Sequence, residues 1–231
     1  MADHDTYCEA LVREFDRDRF LATLFAAARH RPGLLALYAF DIEIARVPRL
    51  VREAMAGEIR LQWWRDVITG TGHSGGSPVA TALIETMRSF HLPEGDLLAF
   101  VDVHAEALHG ERPRADVVDA AARAAEVIFD LAARILNDGS DPYLRGLSHA
   151  AGLAQAMARE PDRPARAASA DAIRSQLASV KDLMCGAPER LWPAFLTLAL
   201  IPPLLAGKAL PQWRRQWIMW RAARDLPHAL G

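Results

Sequence analysis

The sequence predicts an all-α fold, a single helical bundle of about eight to ten helices spanning residues 1–231 as one domain. Three observations carry that expectation. Apolar residues recur three and four apart along most of the chain, the period of a helix with one buried face. No stretch alternates apolar and polar residues into a hairpin turn. Alanine, the strongest helix former, supplies roughly a fifth of the residues. With 51% hydrophobic and 24% charged residues, the chain can bury a conventional core.

The first helix is expected over about Thr6–Arg29, with Leu11, Phe15, Leu21, Leu24 and Phe25 on its buried side. Pro32 stands where a first-turn proline belongs and opens a second helix through Val47. Pro48 breaks or kinks the chain, and a third helix follows to about Ile68. Thr69–Ser77, rich in glycine, reads as a loop. Pro78 starts a helix to Phe90, and Asp96–His109 and Ala115–Leu136 follow as separate helices. Asn137–Pro142 is a stop-and-restart signal before a helix over Tyr143–Arg159. Glu160–Arg166 reads as a proline-containing loop. The last three helices are expected at about Ala168–Met184, Pro188–Leu205 and Pro211–Leu226.

A formal charge of −2 offers no basic face, so nucleic acid is not an expected partner. Two cysteines far apart, Cys8 and Cys185, exclude a disulfide scaffold or a Cys-rich zinc module and fit a reducing compartment. The N-terminal stretch is acidic and polar, without the basic and apolar regions of a targeting peptide. The longest uncharged apolar run, Leu191–Gly207, is short for a span and interrupted by Pro193, Pro202 and Pro203. It reads as a buried helix. The expected location is cytoplasmic, with at most peripheral contact at the inner membrane.

Generic catalytic signatures are missing: there is no G-x-S-x-G elbow, P-loop, H-E-x-x-H or paired cysteines at zinc spacing. Asp3-His4-Asp5 has metal-capable side chains but lies at a terminus, where fraying is normal. His104 and His109, five apart on a helix, face different ways and read as solvated or core-edge histidines.

The informative stretch is Leu34–Ile68. It holds Tyr38-Ala39-Phe40 on the second helix and Arg60-Leu61-Gln62-Trp63-Trp64-Arg65 on the third. Weaker echoes follow at Gly152-Leu153-Ala154-Gln155 and at Leu210–Trp217. On these residues the chain resembles the squalene/phytoene synthase family, which implies an isoprenoid-synthase-like bundle. Active members of that family follow the Tyr-Ala-Phe stretch with a D-D-x-x-D motif. Aspartates one turn apart share a helix face and hold Mg²⁺ against the diphosphate of the substrate. Here Ala45, Arg46 and Arg49 stand at those positions. Alanine supplies no ligand, and two guanidiniums at short range repel a divalent cation. The second acidic motif is expected after Gln155, yet the chain runs Ala156-Met157-Ala158-Arg159-Glu160-Pro161.

The segment Phe40-Asp41-Ile42-Glu43-Ile44-Ala45-Arg46 further resembles the noncatalytic branch of the family, which includes a mitochondrial complex I assembly factor. That resemblance implies an assembly or biogenesis factor with a respiratory-complex subunit or assembly partner, and an isoprenoid or lipid ligand. No catalytic or metal-binding residue and no cofactor is assigned. The alternative is a prenyltransferase acting on isoprenoid diphosphates, and only that reading calls for Mg²⁺. The candidate pocket comprises Tyr38, Asp41, Ala45, Arg46, Arg49, Gln62 and Trp63. Asp41, one turn before Ala45, is placed to face the cavity, and Glu43 to pair with Arg46. Of Trp63 and Trp64 only one can point fully inward. Trp213, Trp217 and Trp220 form one helical stripe, for which core packing is the expectation and contact with a membrane surface or partner the alternative.

Overall fold

The computed structural model describes residues 3–50, 53–109, 113–139, 142–208 and 210–230, and none of them lies in a strand. The helices run Asp3–Phe15 (α1), Arg17–Thr23 (α2), Arg31–Leu50 (α3), Ala54–Ile68 (α4), Pro78–Phe90 (α5), Glu94–Ala105 (α6) and Arg114–Asn137 (α7). They continue as Pro142–Ala158 (α8), Arg163–Ala168 (α9), Ala170–Cys185 (α10), Trp192–Phe195 (α11), Ile201–Leu205 (α12), Gln212–Ala222 (α13) and Leu226–Ala229 (α14). Short 3₁₀ turns join several of them.

Helix α3 runs through the centre, packed by α1, α5, α6 and α7. Its Leu34, Leu37, Phe40 and Ile44 are fully buried. The Phe40 ring meets the edge of Trp64 at 5.1 Å and tilts against Phe100 at 5.4 Å, so one aromatic knot ties α3 to α4 and α6. Trp64 is the inward tryptophan of its pair, and Trp63 is partly buried against it. Helices α7 and α8 approach closely through small residues. A Cβ on Gly152 would stand 2.8 Å from the Ala122 carbonyl oxygen and from the Glu126 amide nitrogen, so only glycine fits there.

Four boundaries differ from the sequence expectation, each for a local reason. The first helix is divided at Asp16, whose Oδ1 accepts the Arg19 amide at 3.0 Å and caps α2. Pro48 does not end its helix. It sits within the last turn of α3, and α4 begins at Ala54. Within the expected 160–166 loop, α9 starts with Pro164 in its first turn, where a missing amide hydrogen costs nothing. The apolar run from Leu191 folds as short helical pieces. Its prolines at 193 and 202 again occupy first turns, and Leu191, Phe195, Leu196 and Leu198 are buried. Ser140 and Asp141 of the expected stop signal lie outside the described residues.

The tryptophan stripe departs most from expectation. Trp213, Trp217 and Trp220 are 68%, 53% and 48% exposed, whereas Met219 and Ala222 on the opposite side of α13 are buried. Core packing is not their role. Among the described residues no helix is long and apolar enough to cross a membrane.

Candidate functional site

A cavity of about 430 Å³ opens between α3, α7 and α8. Asp41, Ala45 and Arg49 line one side, spaced at four residues so that they share a face of α3. Gln155, Ala156 and Arg159 line the side formed by α8 and its end. Val117, Val118, Ala121, Ala124, Ala125 and Ile128 of α7 give it an apolar wall, and His104 of α6, Arg19 of α2, and Glu160 and Pro161 after α8 complete it. The two places where the family resemblance expects acidic motifs therefore face a common space. They bring Ala45, Arg49, Ala156 and Arg159 to it, with one carboxylate, Glu160, that is paired to Arg114 at 2.9 Å.

Asp41 is already engaged. Its Oδ2 accepts from Nη1 of Arg19, a side chain only 7% exposed. Arg19 also lies 3.6 Å from Asp16 and places its guanidinium 5.0 Å from the Tyr38 ring centre. Burial works against the charge on Arg19, but Asp41 and Asp16 outweigh it and hold the side chain cationic. Burial pushes the Tyr38 hydroxyl up to about 12, with Arg19 opposing in part. Arg159 reaches Asp16 only at 3.7 Å, and Arg49 has no carboxylate partner among the described residues. The cavity thus has an internally satisfied floor, one guanidinium without a described carboxylate partner, Arg49, and a second, Arg159, held only in a long pair with Asp16.

Of the residues singled out from sequence, Asp41, Ala45 and Arg49 line the cavity, and Tyr38 lies behind Arg19. The other three lie elsewhere. Arg46 turns to the Phe15 ring, 4.3 Å from its centre, rather than pairing with Glu43, which instead accepts from Arg60 at 2.8 Å. The Gln62 amide donates to Asp66 at 2.8 Å on an exposed face. Trp63 packs edge-on against Trp64, beside Gly75 of the 69–77 loop. Their positions follow from helix geometry: Arg46 is about 100° around α3 from Ala45, which takes it off the cavity face.

Sequence reading missed Arg19, His104 and Arg159. Arg159 was accessible to it, since it stands one turn after Gln155. His104 donates from Nδ1 to the Phe100 carbonyl at 2.9 Å, which leaves Nε2 as its acceptor when the ring is neutral. His109 instead meets Glu58 at 2.8 Å, so the two histidines serve separate places. His4 of the Asp3–Asp5 cluster bonds Glu85 at 3.0 Å.

Mg²⁺, which the fold family implies, does not fit these side chains. Among the described residues no three His, Cys, Asp or Glu side chains are grouped to hold an ion. At the cavity Asp41 is bound to Arg19, and Glu160 is bound to Arg114 at 2.9 Å. What the lining presents is guanidinium side chains beside an apolar wall, a donor type that can pair with anions directly.

Comparisons with known proteins agree with this architecture. The family model described as squalene/phytoene synthase matches residues 12–160. Among curated proteins, the chain is similar to "NADH dehydrogenase (ubiquinone) complex I, assembly factor 6". It is 30% identical to the Bos taurus protein and 31% to the Homo sapiens protein, over 100 residues in each case. Each match takes in 42% of this chain and 30% of the relative, so it spans under a third of the relatives' length. The fold is similar to a dehydrosqualene synthase crystallised with a ligand, with a TM-score of 0.71 and 11% identity over 97% of both chains. It is also similar to the squalene synthase HpnC from Alicyclobacillus acidocaldarius, with a TM-score of 0.58 and 19% identity over 98% of this chain and 92% of that one.

Proposed function

The chain belongs to the squalene/phytoene synthase family, and from that premise we propose that it is a noncatalytic member acting in assembly or biogenesis of respiratory complex I. The observation that supports this reading is the cavity. Ala45, Arg49, Ala156 and Arg159 stand on its two sides, and its one α3 carboxylate is tied to Arg19. Ionising a diphosphate requires its developing charge to be offset, a task this family gives to metal. Arg49, unpaired among the described residues, and loosely paired Arg159 suit binding of an anion without that step. An isoprenoid or lipid with an anionic head would set the head against Arg49 and Arg159 and its chain along the α7 wall. The partner would be a respiratory-complex subunit or assembly protein, met in the cytoplasm at the periphery of the inner membrane.

The decisive experiment incubates purified protein with Mg²⁺ and farnesyl or geranylgeranyl diphosphate and measures released pyrophosphate. None is expected, and turnover abolished by EDTA would establish the transferase instead. In a host that builds complex I, deleting the gene is expected to lower the assembled complex while isoprenoid products stay unchanged. Normal complex I in the deletion strain would remove the assembly role.

A further inference from the structure

Helix α13 presents an apolar face that no element of the described structure covers. Trp213, Trp217 and Trp220 stand at i, i+4 and i+7, so their indoles project within about 60° of one another. They are the three tryptophans that the fold leaves about half or more exposed. The reverse of the helix is fixed: Met219 and Ala222 are buried, and Arg215 donates from Nε to Asp18 at 2.9 Å. The face is therefore rigid and presented outward.

Within the helix its charge is of one sign, and the exposed Asp225 beyond it accepts the His228 amide at 3.1 Å to cap α14. Gln212–Ala222 contains no acidic residue, and Asp18 is occupied by Arg215. Arg214 and Arg221 flank the stripe, and Arg224 follows it. The Arg224 guanidinium sits 3.6 Å from the centre of the Trp220 ring and that of Arg221 5.6 Å from the Trp217 ring. A guanidinium is thus held over the face of each of these two indoles.

We propose that this face of α13 docks in the plane of an anionic lipid surface. Tryptophan combines a large apolar body with one N–H donor, which suits the headgroup boundary, and the arginines beside it complement lipid phosphates. A second copy of the chain fits less well, because two-fold symmetry would bring arginine against arginine. An eleven-residue helix is far too short to span a bilayer and instead suits an in-plane position. The proposal deepens the peripheral-membrane part of the reading above and rests on it. Its test uses vesicles alone, so its outcome is separable from the complex I and cavity tests.

The experiment is co-sedimentation of the full chain with phosphatidylcholine vesicles, with and without about 30% phosphatidylglycerol. Binding is expected only with phosphatidylglycerol and should weaken as salt is raised. W213A/W217A/W220A is expected to lower the partition coefficient tenfold or more, and R214E/R221E/R224E to abolish the phosphatidylglycerol dependence. Thermal melts check that each variant is folded, and W217Q serves as a milder substitution. Absence of wild-type binding overturns the proposal, as does equal binding by the tryptophan variant. So does a dimer, or a complex with a purified complex I subunit, that the tryptophan substitutions dissolve while vesicles go unbound.

Discussion

Arginine serves opposite ends in the α3–α8 cavity and on the α13 face. Inside the cavity, Arg19 is enclosed, clasped by Asp41 and Asp16 and set over Tyr38, so its charge is part of the fold. On α13, Arg221 and Arg224 lie exposed beside exposed indoles and hold up no other element. The difference separates stability from recognition. A substitution beneath the cavity should unfold the chain before it reveals anything about a ligand. One on the outer face should leave the fold intact and report only what the face touches.

The largest expected effect tests the enclosed side of that contrast. Asp41→Ala leaves the Arg19 guanidinium buried with only the more distant Asp16, and breaking a buried pair costs about 3 kcal/mol or more. Denaturant melts should show that loss. The double variant Arg19→Met with Asp41→Leu should recover most of it, since a buried pair often gives way to apolar packing without penalty. If Asp41→Ala melts like the wild type, the pair is not part of the framework and Asp41 is available to a ligand after all.

A smaller effect follows from pH. The Tyr38 hydroxyl is raised from its ordinary 10.0 to about 12, and the Cys8 thiol, by burial and then by Asp5, from 9.0 to about 12. Both are groups whose neutral form is kept in the folded state. The unfolded chain therefore loses these protons first, and the stability they supply is complete below pH 9 and falls as pH rises toward about 12. Tyr38→Phe should flatten the part of that decline above pH 10, by on the order of 2 kcal/mol at its upper end. Unfolding midpoints across pH 8–12 are the measurement, and parallel curves for the two proteins would show that Tyr38 keeps its ordinary titration.

How much of this was legible beforehand depends on the range over which each residue acts. The all-helical bundle was, because helical periodicity and alanine content are properties of short windows. So was the loss of acidic residues at Ala45 and Arg49, which needs only a position in a motif. The identity of the cavity floor was not. Arg19 meets Asp41 across 22 residues of sequence, and no local pattern distinguishes it from the exposed arginines around it. The break at Asp16 was hidden for a related reason. An N-cap inside a continuous apolar period is visible only as one aspartate, and the period outweighs it. For α13 the stripe was plain, but periodicity locates a face without telling whether the fold covers it.

The smallest effect expected is the most informative about that uncovered face. Trp217 is 53% exposed, and what its indole gives the isolated chain is contact with Arg221 and its own helix. Trp217→Ala should therefore change the unfolding free energy by less than about 0.5 kcal/mol, the usual range for surface substitutions. The same truncation at a buried tryptophan such as Trp64, which is 1% exposed, should cost about 3–5 kcal/mol. Chemical denaturation of the two variants side by side makes the comparison. A large loss at Trp217 would mean that the indole packs against the chain in solution and that α13 is a covered helix. A negligible one leaves its burial to be supplied from outside the chain, which is the condition a docking face has to meet.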